Sequence, residues 1–197
     1  MLRLMGFALI AFGGYMVMKQ RQDGAAAAEV GIAGPDVETG PGGHDYGRAG
    51  AYTGAGADVV AMVRAINEAE FGGWFDIADV LAVIQIESSF RPGAYRAEPQ
   101  INDASYGLMQ ILSRTAADRG YDGPPEGLYD PETNILFGMR HLRWSWDYLA
   151  RRMGSAPPRS LWIGSYNAGV GNAMKGYTPY AYVMKFEAAR LLWAARI

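Results

Sequence analysis

Glu87 is the acid whose position in the chain best suits chemistry. It follows Val80 by seven residues, Val83 by four and Ile84 by three. On a helix it therefore projects from the same face as those apolar side chains. It also falls near the end of its helical stretch, where the macrodipole is negative. Burial and the dipole both disfavour the ionised carboxylate, so both raise its pKa. A carboxyl group that keeps its proton near neutrality is what general acid catalysis requires. The competing reading is a surface glutamate that pairs with Arg91 or Arg96. Asp103, in the polar loop INDAS, is the nearest candidate for a second carboxylate and reads as a turn residue.

Other chemistries find less support. The chain has 197 residues, no cysteine and two histidines, His44 and His141. Disulfide frameworks and thiolate metal sites are excluded, and two isolated histidines make a poor zinc site. Neither histidine reads as functional from its spacing, and no metal or organic cofactor is implied. A formal net charge of -2 leaves no electrostatic footprint for nucleic acid.

The elements that must position Glu87 are helical. Asp58 is predicted to cap a first helix over VVAMVRAINEAE, which Gly72 and Gly73 break. Asp76 is predicted to cap IADVLAVIQIESSF, ended by Pro92 and Gly93. After a polar loop, Ser113 begins a short helix. Asp130-Pro131 is a start signal, an N-cap followed by proline at the first helical position. Behind it Ile135, Met139, Leu142, Trp146, Leu149 and Met153 recur at intervals of four and three, up to Gly154. Ser160 is predicted to cap LWIGSYNA, with Gly169 as its stop, and a last helix follows Pro179. No convincing strand or hairpin signal appears. The expected fold class is all-α. The tryptophans fall mostly at core spacing and read as packing residues.

Three short patterns occur in order along this helical domain: Glu87-Ser88-Ser89-Phe90, Gly107-Leu108-Met109-Gln110 and Tyr166-Asn167-Ala168-Gly169. Together they resemble the soluble lytic transglycosylase family, over about residues 70 to 190. Thr115-Ala116, Asp130-Pro131 with Asn134 and Gly138, and Tyr182-Val183 extend the resemblance. It implies a lysozyme-like helical fold and a single catalytic carboxylate, Glu87. That acid would protonate the glycosidic oxygen between N-acetylmuramic acid and N-acetylglucosamine in peptidoglycan. The ionised Glu87 would then accept the proton of the muramyl 6-hydroxyl as it closes a 1,6-anhydro ring. A sugar acetamido oxygen takes the part that a second carboxylate plays in most glycosidases.

The resemblance further implies a substrate-binding set. Ser88 would position the region beside the glutamate. Gly107 would allow backbone to approach the sugar. Met109 and Gln110 would line the cleft. Tyr166 would stand near the acetamido site, Asn167 would brace the loop or the glutamate, and Tyr182 would lie at the cleft side. One departure is visible: twenty residues separate Glu87 from Gly107, more than in the common family pattern. A family serine that holds the acetamido group has no secure match, with Arg96, Glu98 and Ser105 as candidates. A hydrolytic muramidase on the same fold, as in goose-type lysozymes, and an inactive membrane-tethered wall-binding protein are the rival readings.

Two zones precede this domain. Residues 1 to 19 contain the uncharged apolar run Leu4 to Met18, preceded by Arg3 and followed by Lys19 and Arg21. Fifteen helical residues span roughly 22 Å, short of the ~30 Å hydrocarbon core. The segment reads as a signal peptide or membrane anchor. Residues 20 to 56, rich in Gly and Ala and without apolar periodicity, read as a flexible linker. The catalytic domain is expected over 57 to 197. The expected partners are peptidoglycan glycan strands and a membrane, with secretion-apparatus or virion proteins as further candidates. The expected location is the periplasm, exported or membrane-anchored, or alternatively a virion.

Overall fold

The computed structural model describes residues 38–39 and 55–197. The apolar run Leu4 to Met18 and most of the Gly/Ala-rich stretch lie outside the described residues. Among the described residues no helix is long and apolar enough to cross a membrane.

The domain is mostly helical. Its helices are α1 (Ala55–Phe71), α2 (Ile77–Ser88), α3 (Ser113–Asp118), α4 (Pro131–Met153), α5 (Arg159–Ala168), α6 (Val170–Met174) and α7 (Tyr180–Ala194). Helix α2 is the centre. Val80, Leu81, Ala82, Val83 and Ile84 are all fully buried, because α2 packs against both α1 and α7. Val63 of α1, Leu142 and Leu149 of α4, Ile163 of α5 and Phe186 of α7 complete one core, all fully buried. Each such side chain contributes about 1.5–3 kcal/mol by leaving water.

The helix starts and stops follow the signals in the sequence except that α2 ends at Ser88, where Ser89 turns left-handed, before the expected stop at Pro92 and Gly93, and that two helix starts need correction. Asp76 caps α2, its side chain accepting from Ala78 N at 3.0 Å. Asp130 caps α4, accepting from Thr133 N at 2.9 Å, and Gly154 closes α4 in the left-handed region. The first correction is Asp58, which does not cap α1. The helix starts three residues earlier, and Asp58 lies in its first turn, where an acid suits the positive end of the dipole. The second is Ser160, which lies inside α5; Pro158 occupies the N-cap position and makes no side-chain cap bond. The sequence reading also passed over α6, a single short turn of helix after Gly169.

The polar stretch after α2 is a small antiparallel sheet, where no strand was expected. Strand β2 (Ala94–Glu98) pairs with β3 (Asp103–Tyr106), and β3 pairs with β4 (Ile111–Leu112). Residues Glu38–Thr39 add a two-residue strand, β1, beside β2. The connection from β2 to β3 is a single 3-10 turn over Pro99–Ile101, closed by Asn102 in the left-handed region at φ 49°. These strands are short and polar, so alternation is faint. Cross-strand packing holds them instead: the rings of Tyr95 and Tyr106 meet edge to face, 5.5 Å apart. Beneath the sheet, Ile111, Ala116, Leu128 and Phe137 form a second, smaller apolar cluster.

Candidate active site

The last turn of α2 delivers Glu87. Val83 and Ile84, one turn earlier, are fully buried, so the glutamate is drawn inward and is only partly accessible. The helix then stops abruptly. Ser89 and Phe90 both take positive φ, 52° and 61°. Two consecutive non-glycine residues in that region are costly. The turn is held by Phe90, which is buried against Trp193 at 5.2 Å.

Tyr182 of α7 donates its hydroxyl to Glu87 Oε1 at 2.5 Å. No protein group among the described residues bonds Oε2. Tyr182 thus fixes one carboxyl oxygen. Burial raises the Glu87 pKa from its ordinary 4.5 to about 7, against the Tyr182 hydrogen bond and the charge of Arg96, which both favour ionisation. Neither arginine proposed as a partner forms an ion pair with Glu87. Arg91 Nε donates to Ser88 O at 3.0 Å. Arg96 Nε donates to Glu98 Oε1 at 2.6 Å, and Gln100 Nε2 donates to Glu98 Oε2 at 2.6 Å.

The Gly-Leu-Met-Gln segment is the tight turn from β3 to β4. Its seat is Asn134 of α4, which is fully buried. Asn134 Oδ1 accepts from Met109 N at 2.7 Å, and its Nδ2 donates to Tyr106 O at 2.8 Å and to Leu128 O at 2.7 Å. Gly107 meets a steric demand of the protein's own at this turn. Its φ is +68°, and a Cβ would collide with the Asn134 amide and the Leu128 carbonyl. The close approach is to Asn134 of α4 and to the backbone of the preceding 3-10 turn, Pro125–Tyr129. Gly138 plays the matching part, since a Cβ there would strike the Met109 side chain.

The expected binding residues divide into two groups. Tyr166 and Tyr182 come together with Glu87. The phenol of each is pushed up by burial and by the nearby Glu87 charge. Tyr166 Oη donates to Met109 O at 2.8 Å, tying α5 to the Gly-Leu-Met-Gln turn. Ser88, Met109 and Gln110 instead face the interior. Ser88 is buried and donates to Ile84 O at 3.2 Å. Met109 is fully buried beside Gly138. Gln110, at φ 46°, spends its amide N–H groups on Ala94 O and Gly107 O, at 3.1 and 3.0 Å. Asn167 is exposed.

Asp103 is the start of β3 rather than a free turn. It takes hydrogen bonds from Ser113 Oγ, Ala104 N and Arg114 N. Burial pushes its carboxyl up, but these bonds outweigh it and hold the group below the ordinary range. An acid kept ionised at the start of α3 is an anchor. Of the candidates for an acetamido contact, Ser105 is buried on β3, while Arg96 directly across from it is exposed and within the electrostatic reach of Glu87. Asn134 and Gly138 carried no role in the sequence reading beyond the resemblance. Their polar and small character inside an apolar helix face was the available signal.

The domain is mostly helical, and its Glu87 carboxyl group is hydrogen-bonded by Tyr182 and acts electrostatically on Tyr166. The family model described as the transglycosylase SLT domain matches residues 65–181, more than half of the chain, and the chain belongs to that family. It is 31% identical over 121 residues to a membrane-bound lytic murein transglycosylase C of Photorhabdus laumondii, covering 57% of this chain and 32% of that protein. The protein of the same name from Yersinia pestis is 34% identical over 104 residues, 49% of this chain and 28% of that one. The chain thus spans a third or less of the length of these relatives. Among solved structures, the 70 kDa soluble lytic transglycosylase of Escherichia coli aligns with a TM-score of 0.44 at 22% identity, over 64% of this chain and 21% of that one.

Proposed function

We propose that this chain is a peptidoglycan lytic transglycosylase that cleaves the bond between N-acetylmuramic acid and N-acetylglucosamine, leaving a 1,6-anhydromuramyl end. The observation that carries the reading is Glu87: partly buried, pKa about 7, with one oxygen held by Tyr182 and the other free of protein bonds among the described residues. Near neutrality about half of such groups bear a proton. The protonated Oε2 donates to the glycosidic oxygen as the bond breaks. Burial makes the resulting carboxylate costly, so it takes a proton back readily. The muramyl 6-hydroxyl supplies that proton when its oxygen attacks the anomeric carbon. The substrate's acetamido oxygen supports that carbon in between. Arg96 and Tyr182 temper the carboxylate while it exists. Family membership supports this chemistry, and the names of the relatives support action on murein.

The domain would work outside the cytoplasm, on wall strands, tethered to a membrane through residues 1 to 19. The relatives are named as membrane-bound. Local wall opening during remodelling, secretion or phage passage fits such an arrangement. The test is mass spectrometry of muropeptides released from purified sacculi. Lytic cleavage gives anhydro ends one water lighter than hydrolysis gives. Reducing muramic ends would transfer the assignment to the hydrolytic muramidase. Equal clearing of sacculi by wild type and Glu87→Gln would remove the catalytic assignment altogether.

A further inference from the structure

Helix α7 is apolar on two opposite faces. Val183, Phe186 and Ala189 are buried against the core. On the other face Tyr180, Met184, Ala188 and Leu191 follow one another at intervals of four, four and three, and all four are exposed. Tyr180 is 77% exposed, Met184 69% and Leu191 65%. Leu192 and, between α6 and α7, Tyr177 are exposed as well. A surface helix normally turns polar residues outward, and a helix that is apolar all round has something to bury on each side. Single exposed apolar residues need no explanation, whereas a row of them along one helix face marks an interaction surface.

The charges at the rim indicate what kind of partner fits. Lys175, Lys185 and Arg196 are exposed, and among the described residues none of them is in an ion pair. Lys185 borders the apolar row. Glu187, the acid of α7, stands two residues further on, so it projects to the opposite border, and it is half-buried. An aliphatic centre, a tyrosine at one end and long cations at the rim make up a helix that lies in the headgroup region of a bilayer. Met and Leu enter the acyl boundary, tyrosine sits at the interface, and lysine and arginine reach anionic headgroups. A second copy fits less well. A two-fold contact sets one surface against itself, and Lys185, near the midpoint of the row, would meet its own twin. The route of the chain agrees with a lipid surface. Residues 1 to 19 join the domain through α1, and Arg64 of α1 donates to Ile197 O at 3.4 Å, just past the end of α7.

We propose that the outer face of α7 lies on an anionic lipid surface, with Met184, Ala188 and Leu191 in the acyl boundary and Lys185 and Arg196 on the headgroups. This deepens the membrane-tethered reading and rests on it, because the tether is what brings lipid within reach. It adds an orientation that a tether alone does not impose. Tyr182 projects from α7 on the side away from Met184 and donates to Glu87. Docking by the outer face therefore turns the catalytic acid away from the lipid.

The chain has no cysteine, so a polarity-sensitive fluorophore can be placed at one introduced thiol at a time. The full chain is reconstituted in vesicles of phosphatidylethanolamine and phosphatidylglycerol. It is labelled in turn through Ala188→Cys on α7, Asp122→Cys after α3 and Gly13→Cys in the apolar run. The label at position 188 should shift to the blue and be reached by a quencher carried on the acyl chains, while the label at position 122 stays in water. Lys185→Glu with Arg196→Glu, or phosphatidylcholine in place of both lipids, should abolish the shift at position 188. Met184→Ser with Leu191→Ser should lower the ratio of docked to free domain about tenfold or more. Both residues are exposed and outside the catalytic machinery, so melting and turnover of soluble murein fragments should be unchanged. A label at position 188 that stays in water on the anionic vesicles overturns the proposal, as does equal shielding on phosphatidylcholine. Shielding that needs no vesicles and grows with protein concentration gives the face to a second copy instead. The label at position 13 separates the two readings. Lipid contact at 13 with water at 188 removes the docking and leaves the anchor; the reverse removes the anchor and leaves the docking.

Discussion

A carboxyl group with a pKa near 7 carries its function in one proton, and Glu87 makes two separable predictions. As a general acid it must be protonated, so kcat/KM should fall above about pH 7. Glu87→Gln should lower kcat by about two to four orders of magnitude, read from anhydromuropeptide release. Tyr182→Phe removes a hydrogen bond that favours the ionised form, so the alkaline limb should move to higher pH. A limb that stays in place would mean that Tyr182 does not set this proton affinity. The same shift bears on stability. Between 4.5 and about 7 the folded chain holds a proton that the unfolded chain has lost, so this group's contribution falls as pH rises through that window. Above it, the buried carboxylate costs about 1–3 kcal/mol. Glu87→Gln should therefore denature later than wild type at pH 8 and match it near pH 4, as read by urea titration.

At the scale of elements, the site is a junction between one helix end and one turn. Asn134 is the joint. Its three hydrogen bonds satisfy Met109 N, Tyr106 O and Leu128 O, all of which it would leave wanting if truncated. Asn134→Ala should cost about 3 kcal/mol or more, from several buried groups orphaned together. The measurement is the urea midpoint, and a change below about 0.5 kcal/mol would show that water replaces the amide without penalty. Met109 O also receives the Tyr166 hydroxyl. The same variant should therefore lower turnover more than its loss of stability alone explains, because Tyr166 loses its anchor.

Across the whole molecule, α7 connects chemistry to the core. Tyr182 reaches Glu87, Phe186 and Ala189 are fully buried, and Arg190 is tied to α2. Arg190 Nε donates to Asp79 Oδ1 at 2.6 Å and its NH2 to Asp76 Oδ2 at 2.7 Å, while Arg159 of α5 lies 3.6 Å from Asp79. Asp79 is buried, so its loss leaves cationic groups without their inward partner. Asp79→Ala should destabilise the domain by about 1–3 kcal/mol, less than a fully buried pair because Arg190 keeps Asp76. A guanidinium midpoint equal to that of wild type would mean that the pair contributes nothing. Trp193 Nε1 adds a bond to Gln85 Oε1 at 2.7 Å, so Tyr182, Arg190 and Trp193 fasten α7 to α2 at three levels.

Period and punctuation determined the helical frame and the acid. Val80, Val83, Ile84 and Glu87 share a face because a helix has 3.6 residues per turn, and no tertiary contact is needed to know it. Asp76, Asp130, Gly154 and Gly169 mark helix ends through local backbone chemistry alone. Only the folded chain decided the rest. The β2–β3 hairpin escaped notice because five- and four-residue polar strands carry no period, and their pairing is settled by Tyr95 against Tyr106 across the sheet. Gly107, Met109 and Gln110 meet Asn134, Gly138 and Ala94, contacts that only the folded chain reveals. Those partners stand sixteen or more residues away from the groups they meet; the bonds from Ser88 to Ile84 and from Gln110 to Gly107 are local. Spacing along a chain reports on neighbours within a turn or two. Which distant surfaces meet is set by packing of the whole core.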